Sequence, residues 1–307
     1  MSGRLVIARK EWRSALHSDV FLVMAALFLI MSVASVYIGS STKGAEMKAY
    51  QDIVQLAKEQ GGEIPAAPEI YPLSILANIV DYIVMIGAVL AIFLGYNAFH
   101  AERESGTLRI LLTHPVTQRD VVAGKLTGAA GMISAMLAAT FLMNLLLFMV
   151  TTKLVPTAEE AARLAICLVM AFVYMMTFYG SALWVSLKAH DGAFAFLVMM
   201  IVWIFITFVI PQFADTQRNF AFAISNLSGM VTKVPSETAL SRLISLFSPA
   251  AQFTNLGNAL LQADGLASPG FGVLMQAQAP VALYLVAWGL APLFAAFHAA
   301  NREEALE

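Results

Sequence analysis

Asp81 lies inside a long apolar run, with Asn78 and Tyr82 within one helical turn of it. A carboxylate in such surroundings faces a bundle interior or a wet cleft. The plainer alternative is that this end of the helix projects beyond lipid and Asp81 is simply solvated. Other candidate chemistry is sparse. There is no Gly-x-Ser-x-Gly nucleophile turn and no His-Glu-x-x-His zinc helix. Gly124-Lys125-Leu126 is the nearest approach to a phosphate loop, but it lacks the upstream glycine and the following hydroxyl residue. Any ATP chemistry belongs to another chain.

The remaining soft or titratable groups read as structure. The single cysteine, Cys167, sits mid-run as a small buried residue and rules out a disulfide framework. Sixteen methionines suggest metal export, since a thioether is a soft ligand. However, Met170, Met175, Met176, Met199 and Met200 fall in continuous apolar runs, where methionine fills space. His100, His114, His190 and His298 match no metal-ligand spacing and read as solvated groups near one membrane face.

The elements that must position these residues are set by composition. The chain has 307 residues, 59% hydrophobic and 12% charged. Soluble domains carry about 25% charged residues, so most of this surface meets lipid. A net charge of −2 gives no reason to expect a nucleic-acid partner. A bilayer span needs about 20 apolar residues. Five runs qualify, 20–40, 74–99, 127–152, 161–187 and 192–213, and a sixth, 279–299, carries Pro280 and Pro292. Pro280 suits a helix start and Pro292 an internal kink.

Six spans put both termini on one side. Arg4, Arg9, Lys10, Arg13, Arg103, Arg109, Arg119, Lys125, Lys188 and Arg302 fall on that side. Most opposite-side cations lie in two long loops, 41–73 and 214–278, which cross largely regardless of charge. Both termini are therefore expected in the cytoplasm, in the inner membrane of the cell. The first run, at 21 residues, is too long for a cleaved signal core and reads as an uncleaved anchor. The units are an interfacial helix 1–19, a six-span body 20–299 with a cytoplasmic loop 100–126, and a tail 300–307.

Several helices are expected outside the lipid. Leu5, Ala8, Trp12, Ala15 and Leu16 share one face of the first segment, opposite Arg9, Lys10, Arg13 and His17, which predicts a helix lying flat at the interface. A second amphipathic stretch, 45–60, presents Met47, Tyr50, Val54 and Ala57 and ends at Gly61-Gly62, with Pro65, Pro68 and Pro72 keeping the return extended. In the long loop 214–278, Ser236 is expected to cap a helix 237–247, and Ser248-Pro249 to open another reaching about 263 and closed by Asp264-Gly265. Both should dip into the outer interface.

The most polar stretch between two spans is 102–128. Leu108, Ile110, Leu111 and Leu112 precede a His114-Pro115 stop, and Thr117 with Asp120 predicts a fresh helix running on into the third span. An apolar face with charged flanks suits docking into another protein's groove. A helix touching only headgroups is the other reading.

These residues resemble a known family. Glu104-Ser105-Gly106-Thr107-Leu108, Leu111-Leu112-Thr113-His114-Pro115-Val116 and Gly124-Lys125 look like the loop of type-2 ABC transporter permeases. Ile7-Ala8-Arg9-Lys10-Glu11-Trp12 and Ser248-Pro249-Ala250-Ala251-Gln252-Phe253 are similar to that family's opening segment and last outer helix. Within that family the chain resembles the branch of the nitrous-oxide-reductase maturation transporter, from which the 45–72 insertion departs. The resemblance implies an all-α membrane protein of six transmembrane helices, with an N-terminal interfacial helix, a cytoplasmic coupling helix and outer amphipathic helices.

It further implies a permease subunit of an ATP-driven, outward-directed transporter. The coupling residues would be Glu102, Glu104, Gly106, Thr107, Leu108, Arg109, Leu111, Leu112 and Pro115, with Asn78, Asp81 and Tyr82 as candidate cavity residues. The implied partners are a cytoplasmic ATPase dimer holding ATP and Mg, a second permease copy or paralogue, membrane lipid and an outer-side accessory protein. The alternative is a mechanical or scaffold subunit that passes ATPase motion to an outer-side partner without moving cargo. No cofactor is expected on this chain, and it is not expected to be an enzyme.

Overall fold

The computed structural model describes residues 3–60, 71–104, 117–189, 191–224, 231–263 and 270–300. Six helices within it are long and apolar enough to cross a bilayer, the number expected from the hydrophobic runs. The chain is a multi-pass membrane protein. We call the end of the bundle that carries the N-terminal helix the base, and the opposite end the crown.

Helix α1 (Gly3–Leu16) is followed after His17-Ser18 by α2 (Asp19–Gln60). The expected first span and the separate stretch 45–60 are one helix of 42 residues. Between them Ser41, Thr42 and Gly44 weaken helix propensity, but even the glycine costs only about 1 kcal/mol. A Lys43–Glu46 pair at 3.0 Å supports that same turn. At 1.5 Å per residue α2 is about 63 Å long, roughly twice a hydrocarbon core of about 30 Å. Its last third or more therefore stands beyond the crown.

Helix α3 (residues 79–104) follows a 3₁₀ turn, Pro72–Leu76, and contains a π turn, Ile83–Gly87, before its long segment Ala88–Glu104. Helix α4 (Gln118–Thr152) opens on Thr117, whose hydroxyl accepts from the Asp120 N–H as expected. The Asp120 carboxylate, however, takes the Thr117 hydroxyl and Arg4 rather than the cap N–H. Helix α5 (Ala158–Lys188) starts in a Thr157/Glu160 capping box. Helix α6 spans Gly192–Thr216 and carries a second π turn, Phe205–Val209.

A two-stranded antiparallel hairpin follows, β1 (Asn219–Ile224) and β2 (Val231–Ser236), in register from Asn219↔Ser236 to Ile224↔Val231. It adds a small feature to the helical architecture. Ser236 closes this hairpin instead of capping a helix. Thr238 caps α7 (Ala239–Ser245), shorter than the expected 237–247. Ser248 caps α8 (Pro249–Leu260) as expected, although α8 stops at Leu260 and Asp264-Gly265 lies outside the described residues. Helix α9 (Phe271–Ala299) starts eight residues before the predicted span, so Pro280 sits inside a helix rather than at its start.

Packing puts α3 and α5 at the centre. Their apolar windows are 61% and 56% buried, against 22% for α6 and 17% for α9. Close approach of the central pair rests on Gly95, where a Cβ would come within 2.6 Å of the Tyr179 carbonyl oxygen. Helix α8 goes deeper than an interfacial helix. The Ser248 hydroxyl donates to the Ile206 carbonyl at 2.7 Å, and Phe253 stacks on Tyr174 at 5.1 Å. Both partners lie midway along their helices. The Tyr174 hydroxyl in turn donates to the Val84 carbonyl, inside the α3 π turn, at 3.1 Å. Wide π turns loosen the backbone ladder, and here each offers a carbonyl to a hydroxyl from another helix.

Candidate coupling site at the base of the bundle

The base is organised around Lys125, seven residues into α4 and flanked by buried Val121, Val122 and Leu126. Its side chain is 0% exposed, an arrangement that needs full pairing to be tolerated. The ammonium has three donors. It lies 2.8 Å from Glu11 Oε1 and 3.1 Å from Glu102 Oε1, and it also donates to the Ala98 carbonyl. The Phe99 ring lies beneath it, 5.0 Å away. Lys10 Nζ reaches the same Glu102 Oε1 at 2.6 Å. Two lysines and two glutamates from three helices thus form one neutral cluster.

Burial works to raise the Glu102 pKa, but Lys125 and then Lys10 outweigh it and hold the carboxyl below its ordinary 4.5. The acid is therefore ionised in the native protein at neutral pH. A buried pair of this kind contributes little net stability, yet loss of one partner strands the other charge at a cost of about 3–5 kcal/mol.

Helix α1 reaches the cluster by lying along α4 in the same direction. A Cβ on Gly124 would come within 2.7 Å of the Ile7 side chain, and one on Gly128 within 2.9 Å of the Glu11 Cβ. These glycines form a groove for α1, and Arg4–Asp120 at 2.6 Å closes its lower end. The face turned inward is Ile7 and Ala15, with Ala8, Glu11 and Trp12 half-buried. Leu5 and Leu16, expected on the apolar face of an interfacial helix, are 56% and 47% exposed. The hydrophobic pattern did not show that Glu11 is on the side turned to the bundle, paired with Lys125.

The next residue of α3 binds the other side of the bundle. Arg103 donates to the Ser186 carbonyl at 3.1 Å, to Leu187 at 3.3 Å and to Ala189. These are the unpaired carbonyls at the end of α5, where a cation is also favoured by the helix dipole. The Ser186 hydroxyl donates back to the Tyr96 carbonyl at 3.2 Å, and the Tyr179 hydroxyl donates to the Lys125 carbonyl at 3.1 Å. Tyr96 also stacks on His100 and meets Phe196 of α6. A polar cavity of about 280 Å³ lies beside the cluster, lined by Ser14, Ser18, Asn97, Tyr179 and the four charged groups among others.

Residues 5–305 match the family described as ABC-2 family transporter protein. The chain belongs to the ABC-2 transporter family. Two relatives named "Probable ABC transporter permease protein NosY" are also similar. The one from Stutzerimonas stutzeri is 29% identical over 122 residues, and that from Pseudomonas aeruginosa 27% over 124. Each match covers 40% of this chain and 37% of the relative. Members of the ABC-2 family are membrane subunits whose ATPase activity lies in a separate subunit.

Within this ABC-2 subunit the expected site residues separate. Glu102 is 6% exposed and turned inward, and Glu104 is the last residue of α3. Gly106, Thr107, Leu108, Arg109, Leu111, Leu112 and Pro115 lie outside the described residues. Asn78 and Tyr82 are half-buried and Asp81 is exposed on the outer surface of this chain. They line none of the cavities described here. Met175, Met176 and Met199 are core residues with Met170 and Met200 against them, and Cys167 is buried. The cluster of Lys10, Glu11, Glu102 and Lys125 went unseen in the sequence. Its one local sign is Lys125, a lone cation among apolar residues inside a helix.

Proposed function

We propose that this ABC-2 subunit forms half of an outward-directed transport path and is driven by an ATPase dimer docking on residues 105–116. The observation that carries this reading is the anchoring of two consecutive residues. Glu102 is fixed to α4 and α1, and Arg103 to the end of α5, one turn before the chain enters 105–116. A push on that segment would reach four helices through short polar contacts. The only thermodynamic requirement is that the ATPase bind the two permease states differently.

The base would then face the cytoplasm and the membrane would be the inner one. The concentration of cations near α1 and α3 supports this under the positive-inside bias. A second permease copy would cover the face of α3 bearing Asn78 and Asp81, because a charge facing hydrocarbon costs about 2.5–3.5 kcal/mol. Membrane lipid would cover the rest.

Reversing charge at Glu104 or Arg109 tests the docking role. Transport and substrate-stimulated ATP hydrolysis should fall while membrane insertion is unchanged. Full transport in both variants would remove those residues from coupling. A mechanical subunit acting on an outer-side partner is the second reading, favoured by one feature. Helix α2 runs unbroken from the base to well beyond the crown, a shape suited to carrying motion outward. ATPase activity stimulated by that partner alone, without any cargo, would select it.

A further inference from the structure

Helix α1 has a face that the coupling cluster does not use. Arg9, Arg13 and His17 follow one another at four-residue spacing, with Lys10 beside them, and all four are exposed. With Val6 and Ser14 they line an open groove of about 570 Å³ that contains no acidic side chain. The one acid of α1, Glu11, is turned the other way, onto Lys125. The His17 ring is oriented by its Nδ1 against the Arg13 carbonyl at 2.8 Å. Lys10 at its edge is paired with Glu102, so the positive surface of the groove rests on Arg9 and Arg13, with no acidic side chain among its lining residues.

Its neighbours identify what covers it. Leu5 and Leu16, on the adjoining strip of α1, are 56% and 47% exposed. The exposed Val20, Val23, Leu27 and Ile30 of α2 continue that strip upward as the apolar surface of the first span. Cations thus sit at the lower edge of the apolar surface of the first span, where a bilayer around that span would place its phospholipid phosphates. A water-facing protein partner would not leave this apolar strip running unbroken from the cationic groove.

From these observations we infer that the Arg9–Arg13–His17 groove of α1 binds the headgroup of an anionic phospholipid, whose acyl chains lie along the exposed apolar side of α2. The arginines meet the phosphate and the apolar strip meets the chains. The inference requires only that the base lie at a membrane surface. It stands whether or not 105–116 docks an ATPase.

The test uses the full-length permease reconstituted in phosphatidylcholine vesicles containing spin-labelled phosphatidylglycerol or spin-labelled phosphatidylcholine. The fraction of motionally restricted label gives the selectivity between the two. Wild type should prefer phosphatidylglycerol. Because a basic residue near an anionic surface contributes about a fivefold factor, the Arg9→Gln/Arg13→Gln variant should lose up to about 25-fold at this site. The Lys48→Gln/Lys58→Gln variant, on the far end of α2, should keep the preference.

Equal selectivity in wild type and the arginine variant overturns the inference. So does displacement of the labelled lipid by inorganic phosphate, which would mark a site for soluble anions. Loss of ATPase pull-down with lipid selectivity intact would assign the groove to protein docking instead. Both arginines are exposed, so the variant should still insert, and its circular dichroism checks this.

Discussion

Lys125 Nζ and Glu102 Oε1 lie 3.1 Å apart, both side chains buried, and join α4 to the last turn of α3. Replacing Lys125 by Met keeps the volume but takes one cation from the buried Glu102 and the ion-pair partner from Glu11. The variant should lose about 3–5 kcal/mol, read as a lower thermal midpoint of the purified protein. Adding Glu11→Gln and Glu102→Gln should recover much of that loss, because no charge is then stranded.

The Glu102 carboxyl gives a pH signature with a defined sign. Its native pKa is lowered from 4.5, so the folded state binds fewer protons than the unfolded one as pH passes below that value. The contribution is complete above pH 4.5 and is lost as pH falls through the lowered native value. The stability difference between wild type and Glu102→Gln should be constant near neutrality and shrink on acidification. A difference that instead grew as the pH fell would contradict the ion-pair geometry.

How legible this was from the sequence depends on which force sets each feature. Apolar runs found all six spans, because lipid imposes length and composition on any helix that crosses it. Caps at Thr117 and Ser248 were local, and they were readable. The merging of α2 was missed because Gly61-Gly62 was weighed as a stop while nothing in 41–44 was weighed as a continuation. The hairpin was missed although Phe220-Ala221-Phe222-Ala223 alternates with period two. The Glu11–Lys125–Glu102 cluster joins residues 114 and 23 positions apart, and no local pattern encodes such a contact.

Arg103 should behave as a cap rather than as a surface charge. Arg103→Gln removes the cation from the last carbonyls of α5, and charged hydrogen bonds contribute about 1.5–3 kcal/mol. Hydrogen exchange should quicken first in the last turn of α5 and at the start of α6, leaving the crown unchanged. Arg103→Lys should restore only part of the protection, since a single ammonium cannot span three carbonyls in the way a planar guanidinium does.

Seating α1 on α4 depends on the absence of a side chain at Gly124. Gly124→Val would drive its new methyls into Ile7, which a Cβ alone would approach to 2.7 Å. Overpacking of this kind costs about 1–3 kcal/mol, and the cheapest relief is for α1 to lift away. Limited proteolysis should then cut between α1 and α2 faster than in wild type, while Gly44→Val, where the space is open, should leave the pattern unchanged.

Asp81 is exposed on the surface of a single chain, yet it sits in a helix whose apolar window crosses the bilayer. Lipid contact there would be costly, and α2, α6 and α8 leave this face of α3 open. The second copy proposed above would remove the conflict by forming a water-lined cleft with this face. Asp81→Cys supplies a direct measurement, since the native Cys167 is buried and its thiol competes poorly for reagent. A membrane-impermeant maleimide added from the crown side should label the new cysteine in the assembled transporter. Labelling should slow when the ATPase is locked in its nucleotide-closed state, provided closure at 105–116 is carried through Glu102 and Arg103 to α3. An unlabelled Asp81→Cys that still transports would place this face in lipid and leave the path elsewhere.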